Sequence, residues 1–450
     1  MGGAERNEAG RPLEAALAIE GATLVDPVLG VVEEALLLAD PARILWVGPR
    51  AEAPAWRLRP EGERVEARGR FLMPGMVNAH SHAAMTLMRG YADDLSLMPW
   101  LETRIFPVEA RLRPEDTYWG ALLAAVEMLE AGVTAFADMY FFMEETVRAV
   151  VEAGGRAAIA RGMVEPGDGS GARALAEAEA LFRDWHGAAG GRIRVMLGPH
   201  GVYTTTRDFL GRVAERAAAL GARVHIHLSE NDDENDQSRA KYGKSPAEVC
   251  AETGLFQVGC LAAHCVRVGP GDIELLAEHR VGVAHNPVSN LKLASGIAPV
   301  VEMRRAGVTV GLGTDGAAST NRLEMFEEMR LASILQKARL GDAAALPARE
   351  AFAMATLESA RALGWADEIG SLEPGKACDA VLVDPDRSPA LWPRFDPFSA
   401  LVYSAEPAAV EAVWVGGRKV VEDGRVRTVD VERLRREVSR RAALLTREAG

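Results

Sequence analysis

Short apolar runs alternate with helix-like stretches through the middle of the chain. Eight runs of strand length lie between about residues 71 and 370, and periodic helical stretches such as 117–132 and 207–221 separate them. The runs are almost continuously apolar, as parallel strands buried on both faces are. They cover residues 72–82, 134–139, 157–163, 194–200, 223–229, 260–265, 281–287 and 309–316. Eight β/α units predict a (β/α)8 TIM barrel, with a doubly wound open sheet as the alternative.

The two ends of the chain have a different pattern. The first 70 residues contain short apolar runs separated by Gly, Pro and Asp, and similar runs return over 379–385 and 410–426. The last of these predicts a hairpin that turns at Gly416 and Gly417. Neither end is long enough to bury a core alone. We therefore predict one small β-sandwich domain from residues 1–70 and 371–450, attached to a catalytic barrel over 71–370.

Composition limits the classes of function. The 450 residues are 48% apolar and 26% charged, which is typical of a soluble globular protein. The net charge is −13 and no run of Lys or Arg occurs, so neither nucleic acid nor a membrane is expected as a partner. The four cysteines form no CxxC motif, and the charged N-terminus has no apolar segment typical of a signal peptide. These features predict a cytoplasmic protein that binds a small molecule, with a homo-oligomer left open.

Histidines collect at the ends of the predicted barrel strands, where TIM barrels carry their chemistry. Seven of the nine lie there, and Asp315 ends the eighth run. These seven are His80, His82, His200, His225, His227, His264 and His285. Residues i and i+2 of a strand share a face, so His80 and His82 can bind one ion. Imidazole and carboxylate ligands predict one divalent metal ion, Zn²⁺ first and Fe²⁺ second.

Five motifs carry a family resemblance: PGMVNAHSHAAMTLMRG, HIHLSE, AAHC, HNPVSNLKLASG and LGTDGAAS. Together they resemble the amidohydrolase superfamily, in the branch of S-adenosylhomocysteine/5′-methylthioadenosine deaminases and the related triazine hydrolases. The resemblance implies that the metal ligands are His80, His82, His227 and Asp315. It also implies a catalytic set in which Glu230 shuttles protons, His264 lies beside the nucleophilic water and Asp315 assists.

The resemblance extends to residues that bind the substrate. It implies that Trp100 and Glu109 line a nucleoside pocket, where a carboxylate can accept both hydroxyl hydrogens of a ribose diol. It further implies that His200 and Glu230 contact the nucleoside. Arg161 and Arg173 match arginines that bind the carboxylate of S-adenosylhomocysteine. From its position alone, His225 is predicted deeper in the barrel and not a ligand, whereas His285 fits a structural or a substrate-binding role equally.

The distribution of lysine bears on the number of metal ions. Some amidohydrolases hold two metals bridged by a carbamylated lysine at the end of strand four. Here that strand ends in His200, and the first 240 residues contain no lysine. A single metal ion per chain is therefore predicted.

The predicted activity is hydrolytic deamination of an aminopurine nucleoside, releasing ammonia and the inosyl product. S-adenosylhomocysteine and 5′-methylthioadenosine are the first candidates, and adenosine is a third. Hydrolysis of a triazine or of another aminoheterocycle such as guanine is the alternative within the superfamily. A non-catalytic barrel that serves in assembly is the alternative of another class, and it would be expected to lack a ligand or the acid. Both Glu230 and Asp315 are present, which favours deamination.

Overall fold

Strands from both ends of the chain form one mixed sheet. The computed structural model describes residues 12–41 and 43–447, so the predicted lack of a signal peptide at the N-terminus lies outside the described residues. The sheet has nine strands in the described part, in the order β17-β16-β15-β14-β5-β1-β2-β3, with β4 beside β1. These strands are β1 (Leu13–Asp26), β2 (Gly30–Ala39), β3 (Ile44–Pro49), β4 (Trp56–Glu66), β5 (Phe71–Pro74), β14 (Ala380–Val383), β15 (Val410–Val415), β16 (Arg418–Glu422) and β17 (Arg425–Val426).

The mixed sheet joins the two chain ends through one strand pair. β14 pairs antiparallel with β5, which also pairs with β1. The predicted hairpin between β15 and β16 is confirmed, and Gly416 and Gly417 adopt the positive φ angles, 56° and 75°, that its turn requires. The prediction that the two chain ends come together in one β-structure is therefore confirmed.

The barrel consists of eight strands that follow one another in chain order. Each strand pairs in parallel with its neighbours. They are β6 (Met76–Ser81), β7 (Val133–Tyr140), β8 (Arg156–Met163), β9 (Ile193–Pro199), β10 (Val224–Leu228), β11 (Cys260–His264), β12 (Gly282–His285) and β13 (Thr309–Leu312). The N–H of Asp315, just after β13, donates to the carbonyl of His80 in β6 at 3.0 Å. The first and last strands thus meet, which confirms the TIM barrel over the open sheet.

The run predicted as one strand over 72–82 is two strands. β5 belongs to the mixed sheet and β6 to the barrel, and Gly75 separates them. A Cβ at Gly75 would lie 2.1 Å from Oγ1 of Thr134, so only glycine fits here. The Pro-Gly pair at 74 and 75 is a recognised turn signal.

Helices follow the barrel strands and cover their outer faces. The predicted helix over 207–221 is observed as Arg207–Leu220, where Thr206 caps the first turn and Gly221 ends the last at φ 67°. The helices are α1 (Leu97–Trp100), α2 (Phe106–Glu109), α3 (Pro114–Glu130), α4 (Met143–Ala153), α5 (Gly171–Trp185), α6 (Ala188–Gly191), α7 (Arg207–Leu220), α8 (Asp232–Tyr242), α9 (Pro246–Glu252), α10 (Pro270–Glu278), α11 (Pro287–Lys292), α12 (Val300–Arg305), α13 (Ala317–Thr320), α14 (Met325–Leu340), α15 (Ala348–Met354), α16 (Leu357–Ala362), α17 (Pro397–Ser399) and α18 (Val431–Thr446). Over the described ranges, none of them is long and apolar enough to cross a membrane.

Candidate active site

Two histidines at the barrel mouth face each other with nitrogen lone pairs. The Nδ1–H of His82 donates to the carbonyl of Met139 at 2.6 Å, and that of His227 to the carbonyl of His200 at 2.7 Å. Each neutral ring therefore keeps a lone pair on Nε2. The two Nε2 atoms lie 3.2 Å apart with no hydrogen between them. Such an arrangement is unfavourable unless a cation lies between the rings, as in a metal site.

His80 and Asp315 complete this cluster. His80 is fully buried, and its Nε2 has no hydrogen-bond partner in the described part of the chain. It lies 3.4 Å from Oδ1 of Asp315, and Nε2 of His82 lies 3.3 Å from the same oxygen. A buried, unpartnered nitrogen aimed at a carboxylate and two further imidazoles fits a divalent ion. The structure thus brings the four predicted ligands together.

Hydrogen bonds fix the carboxylate of Asp315. The backbone N–H of Gly316 donates to Oδ1 at 2.7 Å, and the hydroxyls of Ser289 and Ser319 donate to Oδ2 at 2.6 and 2.9 Å. Burial alone would raise the pKa of Asp315, but its contact with His80 holds the pKa well below its usual value. Asp315 also adopts a φ of 66°, an uncommon conformation for a residue other than glycine.

A second carboxyl group, Glu230, lies beside His264 at the same mouth. Both side chains are buried, and Oε2 of Glu230 is 3.7 Å from Nε2 of His264. Burial, with the negative charge of Asp315, raises the pKa of Glu230 to about 8. Nδ1 of His264 lies 2.9 Å from Oδ1 of Asn290 and can donate to it, which turns Nε2 toward the cluster. The site therefore combines a carboxyl that can carry a proton near neutral pH with an oriented imidazole.

The remaining strand-end histidines lie around this cluster. Nε2 of His225 is 2.8 Å from Nδ1 of His80, one layer deeper in the barrel, in keeping with the predicted position. If Nε2 of His80 binds a metal, its Nδ1 carries the hydrogen and donates to His225. Neither ring nitrogen of His285 has a described partner, and burial lowers its pKa to about 3. The ring of His200 tilts against His227 at 4.6 Å.

A cavity of about 660 Å³ opens above the four predicted metal ligands, His80, His82, His227 and Asp315, which we call the metal cluster. This size is within the usual range for small-molecule sites. The six predicted substrate-binding residues all line it: Trp100, Glu109, Arg161, Arg173, His200 and Glu230. Its wall also contains apolar and aromatic side chains from the end of β7 and the residues that follow it, Met139 to Met143. The structure thus places the predicted metal and substrate residues in one connected site.

A model of the amidohydrolase family matches residues 71–420. The chain belongs to the amidohydrolase family. It is 49% identical over 430 residues to a 5-methylthioadenosine/S-adenosylhomocysteine deaminase of Pelotomaculum thermopropionicum, covering 95% of this chain and 98% of that one. The corresponding deaminase of Symbiobacterium thermophilum is 48% identical, with 96% and 99% covered.

Solved structures agree with this assignment. An adenosine deaminase from Xanthomonas campestris with bound zinc superposes with a TM-score of 0.91, at 35% identity, covering 97% of this amidohydrolase and 99% of that chain. An atrazine chlorohydrolase from Arthrobacter aurescens TC1, complexed with zinc, gives a TM-score of 0.85 at 26% identity, with 95% and 100% covered.

One side of the cavity of this amidohydrolase contains Trp100 and Glu109, the predicted nucleoside-binding residues, together with Tyr140. The indole N–H of Trp100 donates to the carbonyl of Ala92 at 3.0 Å, which fixes the ring on the wall. Burial raises the pKa of Glu109, and Tyr140 with His82 offsets part of that rise. Tyr140 was not singled out from the sequence, where it directly follows the apolar run 134–139; in the structure it is the last residue of β7.

The two predicted carboxylate-binding arginines already share an acidic partner. Nε of Arg161 lies 3.0 Å from Oε2 of Glu177, and the guanidinium packs over the ring of Phe141 at 5.2 Å. Arg173 is 84% exposed, and its Nε lies 3.7 Å from Oε1 of Glu177. Glu177 was missed by sequence reasoning, although its i,i+4 spacing from Arg173 on helix α5 is a usable signal.

Proposed function

We propose that this amidohydrolase is a metal-dependent deaminase of aminopurine nucleosides, acting on S-adenosylhomocysteine, 5′-methylthioadenosine or both. The observation that carries the proposal is Glu230, a buried carboxyl of raised pKa beside the metal cluster and inside the substrate cavity. A non-catalytic barrel has no need of such an acid. The names of the two relatives at 48–49% identity support this choice of substrate.

The metal ligands in this proposal are His80, His82, His227 and Asp315. One divalent ion, with Zn²⁺ as the first candidate, would be held there. When bound, it supplies a Lewis acid that makes water nucleophilic at neutral pH. Zinc suits the donor set of three imidazoles and one carboxylate, and two structural neighbours contain it.

The protein side chains would move the protons. Glu230 takes a proton from the attacking water and delivers it to ring N1 of the purine, which makes C6 a better electrophile. The oxygen bonds to C6, the C6–N bond to the amino group then breaks, and a proton passed through Asp315 lets the group leave as ammonia. His264, oriented by Asn290, would accept a hydrogen bond from the attacking water on the lone pair of Nε2 and so orient it.

Other residues would select the substrate. Glu109 can accept the two hydroxyl hydrogens of the ribose, and Trp100 and His200 present ring faces to the nucleoside. Arg161 and Arg173 would bind the homocysteine carboxylate. Since both arginines already contact Glu177, the substrate carboxylate must compete with it for them.

Ammonia release from a panel of substrates tests the proposal. The panel contains S-adenosylhomocysteine, 5′-methylthioadenosine, adenosine, guanine and a chlorotriazine, and chloride is measured for the last. We expect the highest kcat/KM for one of the first two. A Glu109→Ala variant is the internal control, because it should weaken every ribosyl substrate and leave guanine little changed. Turnover of only guanine or the triazine by the zinc-loaded enzyme would refute the proposed substrate class.

A further inference from the structure

A second cavity lies at the opposite end of the barrel from the active site. It has a volume of about 310 Å³, is open to solvent on one side, and lies between the N-terminal ends of β8 and β9 and the turn of the mixed sheet that joins β15 and β16. Glu368 also lines it. Four arginines line it: Arg43, Arg156, Arg192 and Arg418. Such a concentration of positive charge is unexpected in a protein with a net charge of −13.

Two carboxylates near this cavity are already paired. Asp379 accepts two hydrogen bonds from Arg156, at 2.6 and 3.0 Å, and both side chains are buried. Glu368 pairs with Arg194 at 2.7 Å. Arg156 is therefore neutralised, and neither acid is left to balance the other three arginines.

Those three arginines have no carboxylate partner in the described residues. No acidic oxygen of 12–41 or 43–447 lies within 4 Å of the guanidinium nitrogens of Arg43, Arg192 or Arg418, whereas the neighbouring Arg156 and Arg194 are paired. The backbone N–H of Arg43 donates to Oδ1 of Asp40 at 2.7 Å. Arg192 donates to the carbonyl of Gly155 at 2.6 Å, and Arg43 donates to the carbonyl of Gly375. A carbonyl satisfies one N–H and leaves the positive charge in place.

The positive charges of the arginines that line this cavity repel one another. Burial, together with the neighbouring guanidinium groups of Arg156 and Arg418, lowers the pKa of Arg192. An arginine nevertheless stays protonated in a protein, so the mutual repulsion remains. An anion with several oxygens would relieve it and would accept the free N–H groups, since guanidinium matches phosphate in geometry.

We propose that this cavity, which we name the arginine cavity, binds a small phosphate-bearing molecule. The free guanidinium groups of Arg43, Arg192 and Arg418 would hold its oxygens. The volume is at the lower limit for small-molecule sites and favours a phosphate or pyrophosphate group over a larger ligand. The anion would contact both the barrel and the mixed sheet, and would stabilise their attachment.

Isothermal titration of the zinc-loaded enzyme with phosphate, pyrophosphate and ADP tests this proposal. Runs at equal ionic strength in chloride separate specific binding from screening. We expect saturable binding at one site per chain and a rise in Tm with ligand concentration. Tighter binding of pyrophosphate or ADP than of phosphate would identify the ligand as a phosphate ester or anhydride rather than the free ion.

Matched variants locate the site. Arg192→Gln and Arg418→Gln should each weaken binding by about 10-fold or more, since each removes charge-assisted hydrogen bonds. Arg436→Gln, which changes an exposed arginine of helix α18 without a described partner, should leave binding unchanged. If none of the three ligands binds saturably at about 10 mM, where a site with a Kd of about 1 mM would be nearly full, or if Arg192→Gln and Arg418→Gln both bind as the wild type does, the proposal is wrong. A response to acidic peptides alone would also overturn it.

Discussion

The two ends of the barrel lack binding partners of opposite charge. At the C-terminal end, the Nε2 lone pairs of His82 and His227 face each other with no hydrogen between them, and Nε2 of the buried His80 has no partner in the described residues. At the N-terminal end, Arg192 and Arg418 point N–H groups into a cavity without a carboxylate to accept them. The first arrangement requires a cation and the second an anion. Whether donors or acceptors are left without a protein partner thus indicates the sign of the charge that each site would bind.

The largest effect is expected at the C-terminal end, from Glu230→Gln. Glutamine keeps the shape of the side chain but cannot carry the proton, so kcat should fall by at least ~10²-fold. Zinc content, measured by mass spectrometry, should not change, because Glu230 is not among the proposed ligands. Near-normal turnover in this variant would show that the proton travels by another route.

The strongest effect on stability is expected at the N-terminal end. Asp379→Asn leaves the buried charge of Arg156 unpaired, so the free energy of unfolding should fall by about 3–5 kcal/mol. Denaturant unfolding measures this loss, and the folded fraction should keep its zinc. The partly exposed Glu145, which pairs with Arg148, offers a control, since Glu145→Gln should change stability little. Equal losses in the two variants would contradict the comparison.

Replacing one arginine of the substrate cavity should change kcat/KM for two nucleosides by different amounts. Arg161→Ala should reduce kcat/KM for S-adenosylhomocysteine by about 10- to 150-fold and change 5′-methylthioadenosine, which lacks the carboxylate, far less. Arg173→Ala should have a smaller effect, because this side chain is 84% exposed and its charge is screened by solvent. Equal losses for both nucleosides would make the arginines structural.

A smaller effect is expected one layer below the metal cluster. His225→Ala removes the acceptor for Nδ1–H of His80 and should weaken zinc binding by about 10- to 100-fold. Competition with a chromogenic chelator measures this affinity. His225→Gln keeps an acceptor oxygen and should recover part of the loss. Wild-type affinity in the alanine variant would show that His80 is oriented by packing alone.

The smallest effect on catalysis should come from the arginine cavity. Arg418→Gln lies at the far end of the barrel and should leave kcat/KM for both nucleosides within about 2-fold of the wild type. Steady-state assays without added phosphate test this directly. A larger loss would mean that the two ends of the barrel are energetically coupled.

The ends of the barrel strands were predictable because two patterns coincide there. Apolar runs mark the strands, and His80, His82, His227, His264 and Asp315 follow at the positions that a barrel brings to one face. The order of the strands and the residue that ends each one were enough to predict a metal site at this end of the barrel. The choice of four ligands among seven strand-end histidines and Asp315 came from the family resemblance.

The missed features depend on contacts between distant parts of the chain. Glu177 reaches Arg161 only because helix α5 packs beside the end of β8. The arginine cavity requires Arg43 and Arg418 from the mixed sheet to meet Arg192 from the barrel. The periodicity of hydrophobic residues gives no information on which distant side chains contact one another. The break at Gly75 was visible as a Pro-Gly pair, but the apolar residues on both sides concealed it.

The hydrogen bond from Asp315 to His80 joins the last barrel strand to the first. The proposed metal ligands therefore become available in a fixed order while the chain is synthesised. His80 lies in the first barrel strand to leave the ribosome, and Asp315 follows the last. During synthesis, His80 and His82 are therefore made first and His227 follows with β10. The carboxylate of Asp315 is made only after the eighth strand. The full ligand set, and with it tight retention of the ion, becomes available only as the ring of strands closes. Retained metal would then report that synthesis of the barrel is complete.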